Sequence, residues 1–110
     1  MNQEPDVLRK SLFLSRKSGI RLLDSRSLKD LMKVVQKLEK DGHGFLFYKD
    51  ARDLWVCVVG INIRSEISCE HILSESTTYQ VEGRAIGKTF KAALADALCS
   101  FYNEEFRGNR

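Results

Sequence analysis

The chain has no run of about 18 apolar residues, so no membrane-spanning helix is expected, and its first residues, MNQEPD, lack the basic-then-apolar order of a secretion signal. A cytoplasmic protein follows as the default. Cysteine is scarce and odd in number, at Cys57, Cys69 and Cys99. Cys57 and Cys99 stand in apolar surroundings, which favours reduced core thiols over a disulfide framework. Only two histidines occur, and Cys69, His71, His43 and Cys57 fit neither a C-x-x-C nor an H-x-x-x-H spacing, which argues against structural zinc. No Cys/His nucleophile pair can be read here, and Glu66, Glu70 and Glu75 read as solvated surface rather than as an acid and base. No metal, no cofactor and no enzymatic activity are expected. Internal repeats and low-complexity segments are absent from the sequence as well.

What is present is an ordinary globular composition, with 43% hydrophobic and 30% charged residues in 110, enough for one domain to bury about two-thirds of its unfolded surface. The net charge of +3 is unevenly placed. Residues 1–40 hold ten Lys or Arg against five Asp or Glu, and residues 41–110 hold eight against ten. Such asymmetry can mark an acidic partner, nucleic acid included, although Lys29, Lys33, Lys37 and Lys40 also suit the wet face of any amphipathic helix.

Along the chain, residues 1–26 form a basic N-terminal segment with two readings: a helix opened by Pro5, or strands joined by Arg16-Lys17-Ser18-Gly19. A helical or irregular start with a short strand near Ile20 to Leu23 is expected. A helix is expected from Leu28 to Lys40, with Ser27 and Asp30 as a capping box, a stripe of Leu28, Leu31, Met32, Val35 and Leu38, and Gly42 as its C-terminal cap. Strands are expected at Phe45 to Tyr48 and Leu54 to Ile63 around the polar loop Lys49 to Asp53. Val56 to Val59 is apolar on both parities and reads as a central strand. Arg64 to Ser76 carries no clear pattern: Ile67, Ile72 and Leu73 fit a short helix, while the Ser and Glu around them suggest a surface excursion before the last strand.

Tyr79 and Val81 alternate with Gln80 and Glu82 as in a half-buried strand, and Gly83 and Gly87 bracket a loop that ends at the N-cap Thr89. Phe90, Ala93, Leu94, Ala97, Leu98 and Phe101 then recur at helical spacing, and the helix is expected to run through Glu104 and Phe106 to Gly108. The expected fold is α+β: an antiparallel sheet of three or four strands packed with two main helices, in the order α-β-β-β-α. Residues 27–106 make up that domain and residues 107–110 a tail. A strand Leu54 to Ile63 at or beside a sheet edge would also allow a homodimer.

Gly83-Arg84-Ala85-Ile86-Gly87-Lys88-Thr89 is one residue short of the GxxxxGK[ST] phosphate loop, which excludes a nucleotide hydrolase of that kind. What remains is an anion site at a helix N-terminus, with Gly83 and Gly87 for close approach, Thr89 as cap, and Arg84, Lys88 and Lys91 for charge. The alternative is a capped helix start whose glycines serve a turn. A second candidate surface, for a partner, comprises Tyr48, Arg52 and Trp55 around one hairpin together with the basic Arg16 and Lys17. Trp55 reads first as a core or sheet-face residue, with an exposed aromatic patch of Tyr48 and Trp55 as the alternative.

Two resemblances rest on these residues. The order helix, three strands, helix over residues 27–106 is similar to the double-stranded-RNA-binding domain. In that family the last helix opens on a Ser or Thr and a lysine cluster that clamps phosphates, positions that correspond to Thr89 and Lys91 here. The chain also resembles small phage proteins with an alpha-beta-alpha sandwich domain. The shared features are the helix Leu28 to Lys40, Gly42 with Phe45, the strand Trp55-Val56-Cys57-Val58, and Thr89, Ala93, Ala97 and Leu98 in the last helix. The second resemblance implies a phage accessory or counter-defence factor in the host cytoplasm that binds or sequesters a host protein or a phosphate-bearing ligand. The first implies a nucleic-acid-binding module. No membrane partner is expected from either.

Overall fold

A computed structural model describes residues 5–61, 66–67 and 80–103. The N-terminal segment resolves as a helix, α1 (Pro5–Ser18). It is followed by α2 (Leu28–Lys40), β1 (His43–Lys49), β2 (Trp55–Ile61), the two-residue β3 (Glu66–Ile67), β4 (Gln80–Gly87) and α3 (Phe90–Tyr102). The strand expected near Ile20 to Leu23 does not form. Its backbone N–H groups find side chains instead of a neighbouring strand: Ile20 N donates to Ser18 Oγ at 3.1 Å and Leu22 N to Ser15 Oγ at 2.8 Å. Leu23 N and Asp24 N donate to Asp30 Oδ2 at 3.0 and 3.3 Å, and Ser25 N donates to Ser11 Oγ at 2.8 Å. Ser11, Ser15 and Ser18 share one face of α1, so that face pins the following loop in an irregular path.

The bounds of α2 agree with the sequence pattern, but its buried face is turned. Leu31, Val34, Val35 and Leu38 are buried, whereas Leu28 and Met32 remain 40% and 36% exposed. Ser27 caps the helix by accepting from Asp30 N at 3.3 Å. Asp30 does not complete the capping box, because its carboxylate is taken by Leu23 and Asp24, and Ser27 N donates to Asp24 O at 2.9 Å. Gly42 follows the C-cap Asp41 at φ +99°, a conformation that favours glycine.

β1 and β2 pair antiparallel from His43↔Ile61 to Lys49↔Trp55, joined by a turn in which Asp50 Oδ1 accepts from Arg52 N and Leu54 N and Asp53 takes φ +65°. β4 pairs antiparallel with the other side of β2, and β3 pairs parallel with β1, giving the order β3-β1-β2-β4. The fold is therefore α+β around three antiparallel strands, with an additional N-terminal helix before the expected order. β2 is central, as its apolar run implies, and has no open edge for pairing with a second copy. Its neighbour β4 lies at an edge of the sheet, and there Arg84 N donates to Ser100 Oγ at 3.3 Å.

Gly83 and Gly87 belong to β4, not to a loop. A Cβ on Gly83 would lie 2.8 Å from Phe101 N, 2.8 Å from Val59 Cγ1 and 2.9 Å from Ala97 O; one on Gly87 would lie 2.8 Å from Ala93 N. The glycines thus let α3 settle its backbone on the strand. Register shifts between Val59 and Gly60, which face Gly83 and Val81, so Glu82 is an extra, bulged residue. The bulge leaves Val81 42% exposed and turns Glu82 toward His43, whose Nδ1 lies 2.7 Å from Glu82 Oε1. Tyr79 lies outside the described residues. α3 ends at Tyr102 rather than continuing: Asn103 is its C-cap in an extended conformation, with its N–H on Ser100 O.

Residues of α1, α2, α3, β1 and β2 share one core that includes Leu14, Leu31, Val34, Phe45, Val59, Leu94 and Leu98. Leu46, Val56 and Val58, with Tyr48 against them, form a separate buried cluster from the alternate positions of β1 and β2. Gly83→Ala should lower stability by about 1–3 kcal/mol, because the backbone of α3 cannot yield as a side chain would. Val81→Ala, on the same strand but exposed, should stay within about 0.5 kcal/mol in the same urea titration.

Candidate functional site

Thr89 stands in an extended conformation before α3, and its Oγ1 accepts from Ala92 N at 3.1 Å. The loop that the α1 serines hold in place stands beside this first turn. Helix and loop enclose a pocket of about 290 Å³ lined by Lys10, Ser25, Arg26, Thr89, Lys91 and Ala92, among others. Three cations from three parts of the chain therefore meet the positive end of a helix dipole.

The cations are not equivalent. Lys10 Nζ lies 2.6 Å from Asp96 Oδ1. Arg26 grips Asp24 with Nε on Oδ1 at 3.1 Å and NH2 on Oδ2 at 3.0 Å, and its backbone N donates to Oδ1 at 2.8 Å. Hydrogen bonds from the Arg26 side chain and then its backbone hold the Asp24 carboxyl below its ordinary value, and the charge of Lys91 adds to this. Lys91 itself has no ion-pair partner among the described residues.

Of the residues expected at an anion site, the structure brings Thr89 and Lys91 into this pocket. Lys88 is exposed and outside it. Gly83 and Gly87 lie outside this pocket, and their Cβ sides face the backbone of α3. Arg84 lines a second pocket of about 500 Å³ with Arg9, Lys10, Phe13, Asp96 and Cys99. Lys10, Arg26 and Arg9 were legible only as members of a basic N-terminal segment. Their approach to α3 depends on α1 packing against it, which no local pattern announces.

The residues expected at a partner surface fall in separate places. Tyr48 packs on the Leu46, Val56 and Val58 cluster, whereas Trp55 packs against the helix-covered core, edge-on to Phe90 at 5.4 Å between ring centroids. The two aromatics occupy opposite faces of the sheet and make no common patch. Arg52 pairs with Asp50 at 2.9 Å in the hairpin turn. Arg16 and Lys17 end α1, with Lys17 Nζ 6.0 Å from the Phe13 ring centroid.

Cys57 is fully buried, and burial pushes its thiol far above the usual range, so it is a core residue rather than a nucleophile. Cys69, His71, Glu70 and Glu75 lie outside the described residues. Among the described residues no group of three His, Cys, Asp or Glu side chains is placed to hold a metal ion, and no helix is long and apolar enough to cross a membrane. No family model, no curated protein and no solved structure matches the chain.

The depressed Asp24 value fixes the sign of a pH effect. A carboxyl whose folded pKa lies below its ordinary 3.8 contributes stability that is present above that pH and is lost as the pH falls through the folded value. Asp24→Asn should therefore lower the melting temperature at neutral pH. The difference from the unsubstituted protein should narrow in melts recorded from about pH 4 down to about pH 2.

Proposed function

We propose that this chain is a non-enzymatic binding protein that holds a phosphate-bearing ligand in the pocket at the N-terminus of α3. The observation that carries this reading is the meeting of Lys91, Arg26 and Lys10 with the capped first turn of α3 in one concavity. A phosphate there would accept from N–H groups of the first turn and be attracted by Lys91, whose charge is not used in an ion pair among the described residues. In the setting implied by the resemblance to phage alpha-beta-alpha sandwich proteins, such a protein would be an accessory or counter-defence factor. It would work by sequestering its ligand or by holding a host protein through a phosphate group.

A second reading, a double-stranded-RNA-binding-like module, is favoured by one observation: α2, β1, β2, β4 and α3 follow that domain's order, with both helices contributing to the same core. Against it, α1 and the loop at Ser25 and Arg26 stand beside Thr89 and Lys91. They wall in the end of α3 that would have to lie across a groove of a duplex. A concave site suits a small ligand or a single exposed phosphate better.

Titration calorimetry with inorganic pyrophosphate tests the reading. Lys91→Glu should weaken binding about tenfold or more, equivalent to about 1.4 kcal/mol, with an unchanged melting temperature. Lys88→Glu, outside the pocket, should leave the affinity within about twofold of the unsubstituted protein. Equal losses from both substitutions would show a diffuse surface charge effect instead of a site. Tight binding of a duplex RNA with steep salt dependence, and none of pyrophosphate, would transfer the assignment to the second reading.

A further inference from the structure

The three most exposed large apolar side chains among the described residues fall on one surface. Leu8, Leu12 and Leu23 are 50%, 57% and 71% exposed. Leu8, Leu12 and Arg16 follow one another a helical turn apart along α1, so they form one row. The neighbouring row holds Ser11 and Ser15, whose hydroxyls accept from Ser25 N and Leu22 N at 2.8 Å each. Residues 22–25 therefore run back alongside the leucine row. Within that stretch Leu22 turns inward at 6% exposure and Leu23 turns outward. Single apolar residues at a surface are ordinary, but three leucines together ask for a partner.

The charge around these leucines restricts what the partner is. Residues 5–26 contain six Lys or Arg against two Asp. Arg9, Arg16, Lys17 and Arg21 are exposed, and Asp24 is gripped by Arg26. A second copy would bring the same arginines up against one another in a two-fold contact. A nucleic acid would use the arginines and leave the leucines in water. A partner's amphipathic helix lays its apolar face into a groove, whereas none of the three leucines lines either pocket described above. Apolar side chains that protrude from a basic surface suit the boundary between lipid headgroups and acyl chains, where the cations sit at the level of anionic headgroups. With 14 residues α1 is too short to span a bilayer, so it would lie along the surface.

From this combination we propose that α1 and the loop after it dock on an anionic lipid bilayer surface. Leu8, Leu12 and Leu23 enter the headgroup layer, while Arg9, Arg16 and Arg21 meet the phosphates and carboxylates of its lipids. None of these six residues lines the pocket at Thr89 and Lys91, so the two surfaces act independently.

Co-sedimentation of the full chain with two kinds of vesicle tests the docking: phosphatidylcholine alone, and phosphatidylcholine with about one-third phosphatidylserine. Binding to the anionic vesicles should be at least about tenfold tighter than to the neutral ones and should weaken as salt is raised. Leu12→Ser with Leu23→Ser should weaken it about fivefold or more at an unchanged melting temperature, since both side chains are exposed. Arg16→Gln with Arg21→Gln should remove most of the preference for anionic vesicles. Leu28→Ser with Met32→Ser, at exposed apolar positions of α2 instead, should leave vesicle binding unchanged. Absence of binding to the anionic vesicles overturns the proposal. So does an equal loss from both apolar pairs, which would show non-specific adhesion, or undiminished binding by the leucine variant, which would leave charge alone. If an acidic amphipathic peptide titrated in parallel binds through the leucine pair while the vesicles do not, the face belongs to a protein partner and the bilayer assignment falls.

Discussion

The close seating of α3 on β4 is the contact on which the rest of the molecule depends. Gly83 and Gly87 remove the side chains that would stand between strand and helix, and Ala93 and Ala97 do the same from the helix. A helix that lies this low can fill the space around its ends with large rings. Phe90 stacks on Phe47 at 4.3 Å and meets Trp55 edge-on, and Phe101 meets His43 edge-on at 4.9 Å. Small residues at the centre and aromatic ones at the ends fix both the height and the tilt of the helix. They also fix where its N-terminus opens.

The second constraint is polar. The loop from Ile20 to Ser25 is held by the serines of α1 and by Asp30 of α2, so its backbone donors are satisfied without a sheet. Ser11, Ser18 and Ser25 are each buried to 3% exposure, and an unmet polar group at that depth would be costly. This network carries Ser25 and Arg26 to the mouth of α3. The pocket at the start of α3 is thus a consequence of two different kinds of fit, apolar between α3 and β4 and hydrogen-bonded between α1 and its loop.

Charge at the pocket is distributed by pairing. Lys10 and Arg26 are tied to Asp96 and Asp24, which positions their charged heads. Lys91 has no such partner among the described residues. The His43–Glu82 pair lies elsewhere, where β1 and β4 begin, and braces the bulge against Phe101.

The sequence by itself determined the elements whose signals are local. The helix from Leu28 to Lys40, its cap at Ser27, the central strand around Val56 to Val59, and the Thr89 cap of α3 are all set by neighbours within a few residues, where periodicity and capping chemistry act. Tertiary structure decided the rest. Glycine in the run before Thr89 is equally compatible with a loop and with a strand, and only the arrival of α3 makes it a strand packed against backbone. The bulge at Glu82 moved Val81 outward because pairing with β2, not alternation, sets which side faces the helix. The serines at positions 11, 15 and 18 do have helical spacing, but what they bond is a loop seven to fourteen residues distant. Thr89 and Lys91 could be read as half of a site from their own surroundings. Lys10 and Arg26 join them in one pocket through contacts across more than sixty residues of chain, a separation over which side-chain pattern carries no information about position.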